Sequence, residues 1–203
     1  MGLLINTIIW DFDGVLINSN EIRTLAFAHA LNFLNDSELN NFLKYHESNG
    51  GLSRYKKLDW LEKEINVKLD KALILDMYGK KCVSEILKIK PLITQNIDII
   101  ASNPQVSHYI ASGSDQSELR FLCKSLNIEK YFVGIYGSPK PKIEIVSDIL
   151  FLNKKQNTYL VGDSINDFDA AASSDIYFIP FNLCDNLPDY NKIKSYKWFL
   201  ETL

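Results

Sequence analysis

Asp11 and Asp13 stand two residues apart at the end of an apolar run, in a stretch over residues 5–19 that reads INTIIWDFDGVLINS. In extended chain that spacing points both carboxylates the same way, and Gly14 beside them lets the backbone turn sharply. Carboxylates so placed can hold a hard cation and still leave one oxygen free to react. The same letters also suit an acidic turn that only ends a strand, so the chemistry depends on what else gathers there. Ile5, Ile8, Ile9 and Trp10, which precede the pair, form too short a run for an ordinary helix. Their β-branched and aromatic side chains predict a buried strand.

The other residues able to do chemistry also follow predicted strands. Ser112-Gly113-Ser114 comes after the run from Val106 to Ala111, and Gly137-Ser138-Pro139-Lys140-Pro141-Lys142 comes after Tyr131 to Tyr136. Gly162-Asp163-Ser164-Ile165-Asn166-Asp167 comes after Thr158 to Val161. Strand ends thus carry, in chain order, a carboxylate pair, a small hydroxyl, a lysine and a further carboxylate cluster. A phosphoryl group needs its oxygens neutralised. A hydroxyl, backbone N–H groups at a helix start, an ammonium and a divalent metal do this together.

Two kinds of element must position these groups. From Pro91 onward helix and strand alternate, with helices expected near residues 94–102, 116–126, 143–152 and 166–172 and a last strand from Ile176 to Ile179. Such alternation predicts a doubly wound α/β core, a parallel sheet with helices on both faces, and ligands beyond the carboxyl ends of its strands. Between the first and second motifs the text is helical throughout. One helix starts at Ser19 as N-cap, with apolar residues at helical spacing from Ile22 to Phe33, and a second spans Asp36 or Ser37 to about His46. The breaker Asn49-Gly50-Gly51 comes next, then helices begin at Ser53 and Asp70, the last running to Lys88. The expected organisation is an α/β core made of residues 1–17 and 91–203 with an inserted helical cap over 18–90.

Composition limits the partners. At 203 residues and 46% hydrophobic content the chain can bury a sizeable core. A net charge of -3 leaves no basic footprint for nucleic acid, and no apolar run approaches the ~20 residues of a membrane helix. A small molecule is the expected partner, bound by a monomer or homodimer. Cys82, Cys123 and Cys184 are odd in number and scattered, and no charged-then-apolar leader opens the chain. Both point to a reduced cytoplasmic protein without disulfides or zinc.

Four pieces together, DFDGVLINS at 11–19, IASGS at 110–114, GSPKPK at 137–142 and VGDSINDFDAA at 161–171, resemble the haloacid dehalogenase superfamily. The likeness is to its aspartyl phosphatases, in the phosphoglycolate-phosphatase-like branch, and it covers the whole chain. The helical insert sits where that branch places a small mobile cap. The resemblance implies that Asp11 is the nucleophile, Asp13 the general acid/base, Ser112 with Gly113 the phosphate ligands, and Asp163 a metal ligand. Asp167 supports or joins the metal shell. The superfamily's dehalogenases lack an acid at the place of Asp13, so the resemblance points to phosphoryl transfer. Mg²⁺ is the expected ion, because Asp11, Asp13 (through its backbone carbonyl) and Asp163 are hard oxygen ligands with no His or Cys placed nearby. Either Lys140 or Lys142 fits as the phosphate-stabilising lysine, Lys142 by its spacing from Gly-Ser-Pro. His46, Arg54 and Lys57 flank the glycine loop, where Arg54, and after it Lys57, would meet an anionic part of the substrate. The expectation is a Mg²⁺-dependent phosphatase of a small phosphorylated metabolite. A phosphomutase or a catalytically idle binding domain is the alternative.

Overall fold

The four residues of β1 (Thr7–Trp10) are all buried, and they hydrogen-bond to a parallel strand on each side. A strand covered on both faces and both edges reads as the continuous apolar run seen in the sequence. In the computed structural model, which describes residues 5–153, 157–183 and 187–203, β1 is the middle of a five-stranded sheet. The other strands are β2 (Ser107–Asp115), β3 (Gly134–Ser138), β4 (Thr158–Gly162) and β5 (Tyr177–Pro180), in the order β3-β2-β1-β4-β5 and all parallel. Trp10 pairs with Ile110 on one side and Val161 on the other. That register brings Asp11, just past β1, Ser112, within β2, and Asp163, just past β4, to neighbouring levels toward the carboxyl ends of the strands. Cys184 lies outside the described residues.

Helices α1 (Asn20–Ala30), α2 (Asp36–Ser48), α3 (Arg54–Glu64) and α4 (Lys71–Ile89) make up the insert. Side-chain caps start three of them: Asn35 forms a capping box with Glu38, Ser53 Oγ accepts from Lys56 N, and Asp70 accepts from Leu73 N. Ser19 occupies the N-cap of α1 but makes no cap bond, because its hydroxyl is used elsewhere. Where the chain leaves and re-enters the sheet, Ile17 bridges Leu92, and Asn18 N donates to Pro91 O at 2.8 Å. The two junctions are therefore stitched to each other. Phe12, Leu16 and Ile17 share one buried cluster with Phe27, Phe42 and Leu58 of the insert.

After the insert come α5 (Thr94–Ser102), α6 (Gln116–Ser125), α7 (Lys142–Asn153), α8 (Ile165–Ser173) and α9 (Tyr196–Thr202). Helices α7 and α8 cover one sheet face, where Ile145, Val146 and Ile149 meet Phe168 and Phe178. Several boundaries differ from the sequence reading. β2 runs on through Ser112-Gly113-Ser114 to Asp115, with a register shift after Ala111. Glu129–Tyr131 is a short 3₁₀ turn rather than the start of β3. Helix α1 stops at Ala30, short of Phe33, and α9 has no counterpart in the expected elements. Among the described residues, no helix is long and apolar enough to cross a membrane.

Candidate active site

Asp11 leaves β1 with its backbone N–H bonded to Val161 O at 2.9 Å, and its side chain is buried. Its Oδ1 accepts from Phe12 N at 2.8 Å and faces Lys142 Nζ at 2.9 Å. Lys142 also ion-pairs with Asp167. Carboxylate oxygens of Asp11, Asp163 and Asp167 can be chosen that all lie within 4.8 Å of one another. Asp163 is fixed by Asn20 Nδ2 at 3.0 Å, and Asp167 Oδ2 accepts from Ser164 N at 3.1 Å and Ser164 Oγ at 2.6 Å.

Three carboxylates against one ammonium repel each other. Burial and then the neighbouring Asp167 raise Asp11 well above the ordinary carboxylate range, and the same two causes push Asp163 up to about 6. Lys142 is raised instead, because Asp11 and Asp167 outweigh its burial. A divalent cation fits this donor set: the ligand atoms are hard oxygens, and the uncompensated charge is two negative units. Gly14 makes room beside it. Its φ is +79°, and a Cβ there would lie 1.8 Å from Asp163 Oδ2.

Asp13 lies in different surroundings. Its carboxylate is absent from the metal-sized cluster, since both oxygens are already engaged: Oδ1 accepts from Ser19 Oγ and from Arg23 Nε at 2.9 Å, and Oδ2 from Ser114 Oγ at 2.6 Å. Burial alone would raise its pKa; Arg23, Ser114 and Ser19 outweigh burial and lower it. Only its backbone carbonyl is left to serve a metal.

The lysine ambiguity is decided by position. Lys140 turns to solvent and pairs with Asp148, whereas the Lys142 side chain is 5% exposed beside Asp11. Lys140 is therefore withdrawn from the site. Ser112 is buried at the cavity wall with Gly113, and its Oγ accepts from Ser114 N at 3.1 Å.

The insert closes over these groups. Gly50 O accepts from Asn166 Nδ2 at 2.6 Å, and a Cβ on Gly113 would lie 2.2 Å from Gly51 O. The cleft between them is about 380 Å³ and is lined by Asp11, Asp13, Ser112, Asp163, Arg54 and Lys57, among others. Arg54 was expected to offer its charge to a ligand, yet its Nη2 donates to Glu118 Oε2 at 2.6 Å and its guanidinium stacks 4.8 Å from the Tyr78 ring centre. Glu118, on α6 of the core, also pairs with Arg23 of α1. Arg23 and Glu118 were missed in the sequence, and Ser114, noted there beside Ser112 and Gly113, was given no role. Ser19 and Arg23 are four residues apart on one helix, a spacing that offered a local signal for Arg23. Glu118 had none, being 95 residues from Arg23 in the chain.

With the motif residues gathered at one sheet edge, comparison with known proteins becomes informative. The family model described as haloacid dehalogenase-like hydrolase matches residues 8–180. The chain belongs to that family. A search of curated proteins found no match to this haloacid dehalogenase-like hydrolase. Among solved structures it resembles β-phosphoglucomutase from Clostridium difficile, at 19% identity and TM-score 0.75 over 98% of this chain and 97% of that one. It also resembles CbbY from Rhodobacter sphaeroides, solved in complex with xylulose-(1,5)bisphosphate, at 17% identity and TM-score 0.72 over 94% of each chain. YfnB from Bacillus subtilis, solved bound to magnesium, matches at 16% identity and TM-score 0.70 over 97% of each chain. At such identities the likeness is one of fold.

Proposed function

We propose that this hydrolase is a Mg²⁺-dependent phosphatase that cleaves a small phosphorylated metabolite through an aspartyl phosphate on Asp11. One observation carries the reading: two carboxylates two residues apart occupy opposite environments. Asp11 sits in a cluster short of positive charge, and Asp13 in a cradle of three donors.

Asp11 Oδ2 is the oxygen that attacks phosphorus, while Oδ1 is held by Phe12 N and Lys142 Nζ. Lys142, Ser112 and the N–H groups around Gly113 take up charge on the phosphoryl oxygens. Asp13 gives a proton to the leaving oxygen and takes one from the water that later attacks the aspartyl phosphate. Its donors keep it ionised for the second of these tasks, and the negative charge of an arriving phosphoryl group raises its proton affinity for the first. Asp11, Asp163 and the Asp13 carbonyl would hold Mg²⁺, with Asp167, whose oxygens already serve Lys142 and Ser164, supporting them. The ion would offset the cluster's charge and polarise the phosphoryl oxygens.

Residues 18–90 serve as the cap over a core of 1–17 and 91–203. The contacts of Gly50 and Gly51 with Asn166 and Gly113 support this, as do the paired junctions. A closed cap keeps bulk water from the reacting atoms. The fold shared with β-phosphoglucomutase supports a second reading, a phosphomutase, in which closure protects the aspartyl phosphate. Release of inorganic phosphate from a generic aryl phosphate, with Mg²⁺ and with Asp11→Asn as control, separates the two. A phosphatase turns over steadily. A mutase releases little, and steady absence of release removes the phosphatase reading.

A further inference from the structure

The turn that carries Asp13 closes on itself: Gly14 N donates to Ile17 O at 2.8 Å, and the N–H groups of Leu16 and Ile17 donate to Phe12 O at 2.9 and 3.0 Å. Two further carbonyls of the turn are held from the start of α5. Leu16 O accepts from Ile93 N at 2.9 Å. Val15 O accepts from Asn96 Nδ2 at 2.6 Å, and Asn96 Oδ1 accepts from the hydroxyl of Tyr196, the first residue of α9. Asn96 is fully buried, and Val15, Leu16, Trp10 and Phe199 belong to one apolar cluster against which Ile93, Ile97 and Tyr196 pack.

A carbonyl can only accept, so the NH₂ of Asn96 must face Val15 and its amide oxygen must face Tyr196, which has to donate. Burial pushes the Tyr196 hydroxyl up to about 12, so it keeps its proton around neutral pH. Without that donor the amide loses the partner that selects its orientation, and a half-turn of the amide sets two oxygens against each other at Val15. Helix α9 holds the hydroxyl in place. Ser195 Oγ caps the helix by accepting from Trp198 N at 3.1 Å, and the fully buried Phe199 ring lies 6.0 Å centre to centre from Trp10, the residue before Asp11. The Tyr196 ring itself meets Phe181 at 5.0 Å. Exchanging a hydrogen-bonded polar pair for apolar groups of the same shape can be nearly neutral for stability, so burying this pair needs another reason. A fully satisfied polar network supplies one, because it fixes a single geometry where apolar packing tolerates several.

We propose that Asn96 and Tyr196 are positioning residues for Asp13: the Tyr196 hydroxyl orients the Asn96 amide, and the amide fixes the turn from which Asp13 reaches its donors and the substrate. Neither side chain lines the cleft. A displacement of about 1 Å at the turn carries the Asp13 carboxylate off the line to the leaving oxygen, an error that can cost roughly 100-fold where proton transfer belongs to the transition state. The catalytic consequence rests on Asp13 being the general acid/base of a phosphatase; the hold on the turn does not.

Tyr196→Phe removes one oxygen and keeps the ring. Tyr159→Phe is its control, since the Tyr159 hydroxyl is buried with no hydrogen-bond partner among the described residues. Two aryl phosphates, assayed with Mg²⁺, separate proton transfer from the other demands of the reaction: phenyl phosphate has a basic leaving group that needs the proton of Asp13, and 2,4-dinitrophenyl phosphate does not. In Tyr196→Phe, kcat/KM should fall about fivefold or more for phenyl phosphate and stay within about twofold for the dinitrophenyl ester, while Tyr159→Phe matches the unaltered protein on both. Amide hydrogen exchange over residues 12–17, read by mass spectrometry, should quicken about tenfold in Tyr196→Phe with exchange in the sheet strands unchanged, and should not quicken in Tyr159→Phe. Unchanged exchange in the turn overturns the proposal. Equal losses with both esters, or no loss with phenyl phosphate, overturn it too. Absence of phosphate release from either ester by the unaltered protein overturns the phosphatase reading instead, and the exchange comparison then decides alone whether Asn96 and Tyr196 hold the turn.

Discussion

Lys142 Nζ stands 2.9 Å from Asp11 Oδ1 and also ion-pairs with Asp167, so one buried ammonium joins two members of the carboxylate cluster, the candidate nucleophile and Asp167. Lys140, two residues earlier, faces solvent with Asp148. Lys142→Ala should therefore cost roughly 100- to 1,000-fold in kcat, the usual cost of a lost group that stabilises developing charge. Lys140→Ala should stay within about twofold. Steady-state hydrolysis of an aryl phosphate measures both, and the reverse order of effects would return Lys140 to the site.

Asp163 sits in the cluster with a raised pKa, a sign that the site wants a cation. Excess chelator should abolish phosphate release, and Mg²⁺ should restore it. Asp163→Asn should raise the Mg²⁺ concentration for half-maximal activity by 10-fold or more, since even groups behind the ligands cost about 10- to 100-fold. Mg²⁺ should also raise the melting temperature of the unaltered protein, and less so that of the variant. Chelator-resistant turnover would remove the metal from the mechanism.

Asp11 and Asp13 should fail differently. Asp11→Asn loses the attacking oxygen and should release no phosphate from any ester. Asp13→Asn loses the proton donor and acceptor, so an activated aryl ester, whose leaving group needs little protonation, should still phosphorylate Asp11. Intact-protein mass spectrometry should then show a phosphate adduct on Asp13→Asn and none on Asp11→Asn. Equal silence of both variants toward such an ester contradicts the assigned roles.

The sheet and the motif ends of its strands were legible because their signals are local. An apolar run followed by a carboxylate pair announces β1 and Asp11, and Ser53 and Asp70 announce α3 and α4 through backbone groups three residues away. Ser19 read correctly as the position before α1, but its hydroxyl serves Asp13 rather than the helix. A propensity rule cannot see that choice, because a tertiary partner made it. The orientation of Lys140 and Lys142 was likewise open, since it depends on where α7 begins relative to Asp167. Arg54 misled for the same reason: its cationic type was visible and its buried partner Glu118, on a distant core helix, was not.

That partner makes a stability prediction. Glu118 accepts from Arg23 and from Arg54, both buried, and so ties two cap helices to α6. Glu118→Gln removes the negative charge and leaves the buried Arg54 guanidinium without a carboxylate, while Arg23 keeps Asp13. Breaking a buried pair in this way costs about 3–5 kcal/mol. Denaturant unfolding should show a loss of that order, and Arg54→Met combined with Glu118→Gln should be less damaging than the sum of the two single changes. Additive effects would show that the ion pair does not hold the cap to the core.

The buried base at the cavity wall should also appear in the pH dependence of folding. Burial lowers Lys57 from its ordinary value to about 7, while in the unfolded chain it titrates near 10.5. Between these values the unfolded state binds more protons than the folded one, so this residue makes stability rise with pH across that window. The penalty is full below about pH 7, where the folded state must carry a buried charge, and gone above about 10.5. At about 1.4 kcal/mol per unit the full penalty is on the order of a few kcal/mol. His46, held down to about 3, acts with the same sign at lower pH, making stability fall as pH drops from about 6.5. Lys57→Met should therefore be more stable than the unaltered protein at pH 6, with an advantage that shrinks steadily toward pH 9.5. Denaturant unfolding of both proteins at several pH values measures the difference. An advantage that does not change with pH would mean that Lys57 keeps an ordinary pKa and that its ammonium reaches solvent or a carboxylate.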